Sequence, residues 1–436
     1  MASSLPESSR PERGQGRYRG DMRVAIIGGG VVGLACAWSL AQRGAEVVVL
    51  ERDVIGDGAS KGNTGWVSPT ISFPLASPGT LMMGMKSAFD PNGALVIRPE
   101  LDTRWLRWLW AFRGAASRER FLKGVEALHN LNRRTFEVLD SYAADGIPFE
   151  MHAGGILTLG KTEKGIAWFG PVFEDLQKLG FEGQIETLTP AEARLIEPAI
   201  GDDVKFVVRT TIDRYVQPQT LMRGLADRVV ELGHEVREQV TVTGMRPTAS
   251  GWEIATSDGP VQADRVVVAT GAVSPALLKP LGIDVPIVPA KGYSITLKGD
   301  GTRPSQALYM TESKIGVSGF DEGVRIAGVF ELPGKDLTID RRRLDVVVKD
   351  ACSYLADWHP STSETSVEGW AGFRPATPDS LPLLGPVPGH DGLFLATGHG
   401  MLGVTLAPST GALLTEMILD GAAPAWVEPM RPDRRF

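Results

Sequence analysis

The sequence predicts a mixed α/β fold, in which a parallel sheet covered by helices is joined to a second, antiparallel sheet. Residues 22–52 form a strand, a Gly-rich turn, a helix and a second strand, which is the pattern of a parallel βαβ unit. Residues 285–330 alternate strand-like runs with turns, as antiparallel sheets do. The 436 residues are 43% hydrophobic and 22% charged, so the chain can build two or more globular domains.

The βαβ unit is the first element. Its strands run from Arg23 to Ile27 and from Glu46 to Leu50, its helix runs from about Val31 to Arg43, and Gly44 is typical of the residue that ends a helix. The 19 residues from Val24 to Gln42 carry no charge and superficially match a membrane-spanning helix or a signal peptide. The glycines inside this stretch and the strand that follows it favour a buried strand, turn and helix instead.

An aromatic helix is predicted next, at residues 101–111. Trp105, Trp108, Leu109 and Phe112 share one of its faces, and Arg and Lys residues surround it. A basic helix with an apolar face is typical of membrane surfaces, but an apolar stripe more often packs on the protein core. We expect core packing, with contact to a membrane surface as the alternative.

Later elements follow from local patterns. They are a capping box at Thr189 to Glu192 that opens a helix ending before Pro198, a helix over 219–232, a hairpin over 252–262, a strand over 265–269 and a helix over 407–419.

Composition excludes several classes of protein. The formal charge is −7, from 45 Lys and Arg against 52 Asp and Glu, which argues against nucleic-acid binding. Cys36 and Cys352 are the only cysteines and lie far apart, so we expect no disulfide framework, no metal site and a reduced, cytoplasmic setting. Residues 1–21 have almost no apolar side chains and predict a disordered extension.

Residues 28–33 match G-x-G-x-x-G between a strand and a helix, the context that a dinucleotide-binding turn requires. Gly28 permits the tight turn, Gly30 lets the backbone approach a pyrophosphate, and Gly33 lets the helix pack closely on the strand. The N–H groups of Val31 and Val32 open the helix and are placed to hold the phosphates.

A carboxylate follows at the expected place. Glu51 ends the second strand, 23 residues after Gly28, where it can accept hydrogen bonds from a ribose diol. A 2′-phosphate would be repelled by this carboxylate, so we expect an adenosine with a free ribose. Arg52 beside it either reaches the nucleotide or is solvated.

The turn alone does not separate NAD from FAD, but three further segments favour FAD. A buried strand ends at Thr270-Gly271, a loop of small residues covers 59–67, and Gly-rich segments lie at 369–375 and 397–403 before the last helix. The N-terminus of that helix would stabilise negative charge on a reduced flavin. A chain that wraps its cofactor from both ends suits tightly held FAD. The candidate cofactor contacts here are Ser60, Asn63, Thr64, Gly65, Thr270, Gly271, Gly398, Gly400, Met401, Leu402, Gly403 and Thr405.

These motifs resemble the FAD-dependent amino acid oxidoreductases of the D-amino-acid oxidase superfamily, in particular the bacterial D-amino-acid dehydrogenase small subunits. The resemblance covers nearly the whole chain from Met22. It is carried by residues 62–69, by 289–296 with Lys-Gly-Tyr-Ser, and most specifically by Gly-x-Arg-Pro-x-Thr-Pro-Asp at 372–379 with Thr-Gly-His-Gly at 397–400.

The resemblance implies a Rossmann-like FAD-binding domain interleaved with an antiparallel-sheet substrate domain. We expect the FAD-binding domain at 22–100, 200–284 and 365–436, and the substrate domain at 101–199 and 285–364. No cysteine matches the flavin attachment site of the sarcosine oxidase branch, so the FAD is expected to be non-covalent.

The resemblance also implies an activity, the oxidative deamination of an amino acid, most plausibly a D-amino acid, to a 2-oxo acid by hydride transfer from Cα to flavin N5. By family analogy Arg374 pairs with the substrate carboxylate. Tyr293 either adds a hydrogen bond to it or is an ordinary strand aromatic, and His399 either lines the flavin or is structural. Lys314 and Arg325, in the predicted sheet, either face the flavin or are solvated, and we expect both to be solvated.

Several alternatives stay open. The substrate can be a secondary amine or imino acid, such as D-proline, hydroxyproline or sarcosine, or it can be glycine. The electron acceptor can be a quinone, an electron-transfer protein or oxygen, and a quinone would suit a peripheral position at the inner face of the membrane. Other classes are an NAD-linked dehydrogenase and a non-catalytic flavin electron-transfer subunit.

Overall fold

The computed structural model describes residues 22–80, 93–98, 100–360 and 369–436; the predicted extension at 1–21 lies outside them. The strands are β1 (Arg23–Ile27), β2 (Glu46–Leu50), β3 (Trp66–Val67), β4 (Leu95–Ile97), β5 (Met151–Ala153), β6 (Ile156–Gly160), β7 (Ile185–Leu188), β8 (Phe206–Thr210), β9 (Arg214–Val216), β10 (Glu235–Arg237), β11 (Val242–Thr248), β12 (Gly251–Thr256), β13 (Val261–Ala263), β14 (Arg265–Val268), β15 (Val288–Leu297), β16 (Gly299–Asp300), β17 (Ala307–Met310), β18 (Ile315–Phe320), β19 (Gly323–Leu332), β20 (His359–Pro360), β21 (Trp370–Ala376), β22 (Leu383–Pro386) and β23 (Leu393–Thr397). The helices are α1 (Val31–Gln42), α2 (Thr103–Ala115), α3 (Arg118–Asn132), α4 (Thr135–Ala144), α5 (Glu163–Ile166), α6 (Phe169–Lys178), α7 (Pro190–Ile196), α8 (Pro218–Glu231), α9 (Ser274–Leu278), α10 (Arg341–Cys352) and α11 (Gly403–Leu419).

A six-stranded sheet in the order β10-β2-β1-β14-β23-β22 forms the Rossmann-like part. Its strands are parallel except for β22, which runs antiparallel to β23. The central strands are apolar throughout because helices α1 and α11 cover one face and the β11–β13 sheet covers the other. Since β1, β14 and β23 are parallel, their carboxyl ends meet at one edge of the sheet.

A nine-stranded sheet forms the second part. Its order is β21-β15-β19-β18-β17-β6-β8-β7, and β4 pairs beside β19. Most neighbours are antiparallel, but β6 pairs with β17 and β4 with β19 in parallel. The predicted antiparallel sheet is therefore a mixed sheet with two parallel pairings. Helix α10 packs Leu344 and Val347 against one face, which leaves the other face toward the six-stranded sheet.

The predicted domain boundaries need correction at several elements. They assign β4, β8 and β21 to the FAD-binding domain, but all three pair within the nine-stranded sheet. They assign α3 and α4 to the substrate domain, but both helices share a core with α1. Local patterns identify a strand or helix, whereas its sheet partners lie far away in sequence. The interleaving is what the family resemblance implies, and local patterns alone do not give its boundaries.

The aromatic helix packs on the core, as expected. Trp105, Trp108 and Phe112 on α2 are buried, and the Trp108 indole N–H donates to the carbonyl of Ala376 at 3.1 Å. Trp110, on the other side of the helix, is 74% exposed. Within the described residues, no helix is both long and apolar enough to cross a membrane.

The last helix begins earlier than predicted. α11 starts at Gly403 instead of Ala407, and it packs so closely on α1 that a Cβ at Gly411 would lie 2.4 Å from the carbonyl oxygen of Ala35. This contact brings the N-termini of α1 and α11 to the same edge of the six-stranded sheet.

Candidate active site

A cavity of about 1230 Å³ lies between the two large sheets. Its wall includes the turn after β1, the loop after β2, the end of β14, strand β21 and the segment before α11. Apart from Gly33, Gly65 and Tyr293, every residue predicted to contact the cofactor or the substrate lines it. Residues from distant parts of the sequence thus converge on one site. Among the described residues there is no group of His, Cys, Asp or Glu that could hold a metal ion.

The Gly-rich turn has the geometry that its spacing predicts. Gly28 adopts φ 112°, and a Cβ there would lie 2.7 Å from the carbonyl oxygen of Ala269. A Cβ at Gly33 would lie 2.0 Å from the carbonyl oxygen of Gly28, so only glycine lets α1 approach the strand this closely. A Cβ at Gly30 would contact only the Ser60 hydroxyl, at 3.7 Å, and would take up room in the cavity that a ligand can fill.

The N-terminus of α1 is open toward the cavity. No side chain caps it, and its first turn has no acidic residue. The backbone N–H of Val31 makes one long contact of 3.4 Å with the Ser60 hydroxyl. The remaining N–H groups and the positive end of the helix dipole are therefore suited to a pyrophosphate.

Glu51 lies at the rim of this cavity. One carboxylate oxygen accepts from the Gly29 N–H at 2.6 Å, and the other accepts from the Asp53 N–H at 2.9 Å. These bonds fix the carboxylate and leave lone pairs for a ribose diol. Arg52 also reaches the rim, but its side chain is 59% exposed and is paired with Asp53, which agrees with the solvated alternative.

The loop at residues 59–67 forms one wall and is held by a side chain of its own and by one from α11. The Asn63 carboxamide accepts from the Gly65 N–H at 2.7 Å, and the Thr405 hydroxyl donates to the carbonyl of Trp66 at 2.8 Å. Gly65 itself is buried: a Cβ there would lie 1.8 Å from the carbonyl oxygen of Val216, so it supports the loop from behind.

Arg325 also holds this loop, and the expectation that it is solvated is wrong. The side chain is 4% exposed, and its guanidinium donates to the carbonyl of Lys61 at 2.8 Å and to that of Asn63 at 3.1 Å. A sequence signal exists: Arg325 interrupts an otherwise apolar run in β19 whose residues are all buried.

The N-terminus of α11 is a second open helix end in the same cavity. It has no side-chain cap, and Gly400, Met401, Leu402 and Gly403 line the wall before it. The early start of the helix thus strengthens the predicted contact with a flavin ring. Two uncapped helix N-termini facing one cavity fit a dinucleotide whose pyrophosphate lies at one of them and whose ring lies at the other.

Arg374 projects from β21 into the cavity. Its guanidinium crosses β15 over Gly292, donates to the carbonyl of Val329 at 3.0 Å and lies 5.6 Å from the Phe330 ring centroid. It forms no ion pair with any residue that the structure describes. Burial lowers the pKa of Arg374 to about 10, so it stays cationic at neutral pH. An unpaired, desolvated guanidinium is a receptor for a carboxylate.

His399 and Tyr293 have different positions. His399 lies at the cavity wall, but it is 4% exposed and its Nε2 is 3.1 Å from the Thr410 hydroxyl. Burial lowers the pKa of His399 to about 3, so the imidazole is neutral. Tyr293 is 1% exposed and packs in the core on the α10 side of the sheet, opposite Arg374. We therefore leave Tyr293 out of the proposed site.

The cysteines do not contribute to the site. Cys36 is buried inside α1, where burial raises the pKa of its thiol to about 12, and neither cysteine lines the cavity. Nothing in the wall offers a thiolate for covalent attachment, which agrees with a non-covalently bound flavin.

This site is typical of the class of flavin-dependent oxidoreductases: one cavity joins the Gly-rich turn of a parallel sheet, two open helix ends and a partly buried guanidinium. Comparison with known proteins identifies the family. Residues 23–417 match the model of the DAO family, described as FAD dependent oxidoreductase, and the chain belongs to this family. Its cofactor is FAD.

The most similar relatives found have matching lengths. The D-amino acid dehydrogenase of Xylella fastidiosa (strain M23) is 34% identical over 408 residues, covering 91% of this chain and 92% of the relative. The D-amino acid dehydrogenase of Xanthobacter autotrophicus is 34% identical over 420 residues, covering 92% of this chain and 96% of the relative.

Solved structures share the fold. Glycine oxidase from Bacillus cereus has a TM-score of 0.73 and 21% identity, covering 95% of this chain and 99% of that chain. L-proline dehydrogenase from P. horikoshii has a TM-score of 0.69 and 21% identity, covering 94% of this chain and 97% of that chain.

Proposed function

We propose that this protein oxidises the α-amino group of a D-amino acid, and that the imine formed is hydrolysed by water to a 2-oxo acid and ammonia. The observation that carries the proposal is Arg374, a partly buried guanidinium that faces the FAD cavity and forms no ion pair with a described residue. The names of the relatives that are 34% identical support the D-amino acid as substrate. When bound, FAD accepts the electron pair that leaves Cα.

Arg374 binds and orients the substrate in this proposal. A guanidinium grips a carboxylate through two parallel hydrogen bonds, which fixes both the position and the plane of the carboxylate. Since Gly292 lies under the guanidinium and Val329 accepts from it, the group has one defined position in the cavity. Orientation of this kind supplies most of the rate advantage that a protein can add to cofactor chemistry.

The amine enters as the neutral base. His399 lies four residues before the first residue of α11. Because its pKa is low and its Nε2 contacts the Thr410 hydroxyl, it cannot take up a proton at neutral pH. We therefore propose that the bulk solvent removes the ammonium proton before the oxidation.

For the electron acceptor we propose a quinone or an electron-transfer protein, with oxygen as the alternative. The relatives are named dehydrogenases, which supports an acceptor other than oxygen. The exposed side of α2 presents Trp110 and Leu106 beside Arg107 and Arg113, which supports a cytoplasmic location at the inner face of a membrane.

The test is anaerobic reduction of the purified, yellow protein. We expect D-alanine to bleach the flavin and L-alanine to leave it oxidised, with D-proline, sarcosine and glycine as the alternative donors. Arg374→Met should keep the flavin and slow the bleaching about 100-fold or more, because the carboxylate loses its charged partner. A flavin that no amine bleaches would contradict the proposal in favour of an electron-transfer subunit, and unchanged bleaching in Arg374→Met would remove Arg374 from the site.

A further inference from the structure

A second cation lies in the wall of the same cavity. Lys314 immediately precedes β18, and its ammonium lies 5.5 Å from the ring centroid of Trp168 and 5.9 Å from that of Tyr309. All three residues line the cavity. The expectation that Lys314 is solvated is therefore wrong.

Lys314 has no anionic partner among the described residues. The nearby carboxylate of Glu312 is occupied by the N–H groups of Lys161 and Thr162 and by the Tyr354 hydroxyl, at 3.0, 2.9 and 2.8 Å. Burial lowers the pKa of the Lys314 ammonium, and the negative charge of Glu312 offsets this effect only in part, so the ammonium is less well hydrated than that of a surface lysine. The two aromatic rings stabilise the ammonium in part.

The backbone at Lys314 supports a role for its side chain. Its φ is 55°, in the left-handed region that glycine or asparagine adopts at lower cost. Because glycine or asparagine would adopt this conformation at lower cost, a lysine here supports a functional role for the lysine side chain in the cavity wall.

The sheet fixes the spacing of the two cations. β19, β18 and β17 are consecutive strands, the Arg374 guanidinium contacts Val329 on β19, and the Lys314 ammonium lies over Tyr309 on β17. The residues that the two cations contact, Val329 and Tyr309, therefore lie on strands two spacings apart, about 10 Å across the sheet. The carboxylates of a short dicarboxylic amino acid, with hydrogen bonds of about 2.8 Å at each end, span a gap of this size.

We propose that Lys314 binds a second carboxylate on the substrate, so that the enzyme acts on an acidic D-amino acid held between Arg374 and Lys314. This inference rests on the proposed function and narrows its substrate class. The spacing also argues against a role as the base that deprotonates the amine. The amine is attached next to the carboxylate that Arg374 binds, so an ammonium held over Tyr309, about 10 Å across the sheet from Val329, is too distant to take its proton directly.

The experiment compares D-glutamate with D-glutamine, which has nearly the same shape and no side-chain charge. We expect the wild-type holoenzyme to have the higher kcat/KM for D-glutamate. Lys314→Met should lower that value about 30-fold or more and change the value for D-glutamine less than about threefold, because only the charged partner is lost. Lys314→Arg should restore most of the activity on D-glutamate. Lys161→Met is the matched control, since Lys161 also lies over a ring, that of Tyr354, but outside the cavity.

Binding of glutarate gives a second readout. Glutarate has two carboxylates and no amine, so the enzyme cannot oxidise it, and its binding is followed by the change in flavin absorption. We expect glutarate to bind the wild type more tightly than butyrate does, and Lys314→Met to abolish the difference. The inference would be overturned if the wild type had the higher kcat/KM for D-glutamine. It would also be overturned if Lys314→Met lowered kcat/KM equally for D-glutamate and D-glutamine. Failure of every D-amino acid to bleach the flavin would instead contradict the proposed function, and glutarate binding would still decide the role of Lys314.

Discussion

At the scale of single residues, the proposed substrate-binding part of the site depends on how Gly292 and Arg374 fit together. A Cβ at Gly292 would lie 1.8 Å from one guanidinium nitrogen of Arg374, so the glycine provides the space in which the guanidinium lies flat on the sheet. The neighbouring carbonyl of Val329 then fixes its orientation.

Gly292→Ala should therefore displace the guanidinium without touching the FAD contacts. We expect normal flavin occupancy and a KM for the amino acid at least about tenfold higher, since the loss of one charged hydrogen bond has this size. Steady-state kinetics with flavin quantification measure both. Gly244→Ala is the matched control, because a Cβ there meets nothing within 4 Å. An unchanged KM would mean that the guanidinium binds its ligand from another position.

His399 makes a prediction about pH. Its pKa is about 3 in the folded protein and about 6.5 when unfolded, so the unfolded chain takes up the proton first as the pH falls. The stability that the neutral imidazole contributes is complete above about pH 6.5 and is lost as the pH falls toward 3. At about pH 4.5 the loss is about 2–3 kcal/mol.

We expect His399→Asn to remove this component of acid sensitivity. The difference between the denaturation midpoints at pH 7 and pH 4.5 should be smaller in the variant than in the wild type. An identical difference in the two proteins would show that His399 takes up a proton in the folded state as readily as in the unfolded chain.

At the scale of elements, the loop at 59–67 depends on strand β19 through Arg325. The guanidinium bonds two loop carbonyls and the Thr296 hydroxyl at 3.0 Å, so it joins the wall of the FAD cavity to the nine-stranded sheet.

Arg325→Gln should loosen this wall. We expect the dissociation constant for FAD to rise about tenfold or more, because charge-assisted hydrogen bonds to the loop are lost. Titration of the apoprotein with FAD, followed by flavin fluorescence, measures this. Arg246→Gln serves as the control, since Arg246 makes an exposed pair with Glu253 on another sheet. Equal affinity in both variants would show that the loop is held by its other bonds.

The elements also show what a sequence can predict. The β1–α1–β2 unit matches its predicted bounds to within one residue, because Gly28, Gly33 and Glu51 act within one local segment. The site residues from 270 to 271 and from 398 to 405 were predicted because glycines mark close approaches of the backbone. The sequence did not predict that β8 and β21 belong to the nine-stranded sheet, because the strands they pair with are distant in sequence. For Lys314 and Arg325 we expected solvent exposure over a position facing the flavin, because hydrophobic patterns assign charged residues to the surface.

For the whole molecule, the cofactor contacts come from both ends of the chain, and both large sheets line one cavity. A ligand that binds only the folded form stabilises it according to its concentration relative to its dissociation constant. FAD should therefore raise the melting temperature of both sheets together.

We expect the apoprotein to melt several degrees below the holoenzyme, with added FAD at 100 times its dissociation constant contributing about 2.7 kcal/mol. Scanning calorimetry of apo and loaded protein tests this. If FAD shifts one transition and leaves a second one unchanged, the two sheets do not share the cofactor in the way the cavity indicates.

The short distance in sequence between Arg374 and the start of α11 has a consequence for engineering. Residues 370–405 supply the guanidinium, His399 and the open helix end, and they pass from one sheet to the other in doing so. A chimera with another family member will keep its active-site geometry only if this stretch is exchanged as an undivided block. Crossover points are better placed in the exposed turn between β12 and β13, which lies outside the cavity.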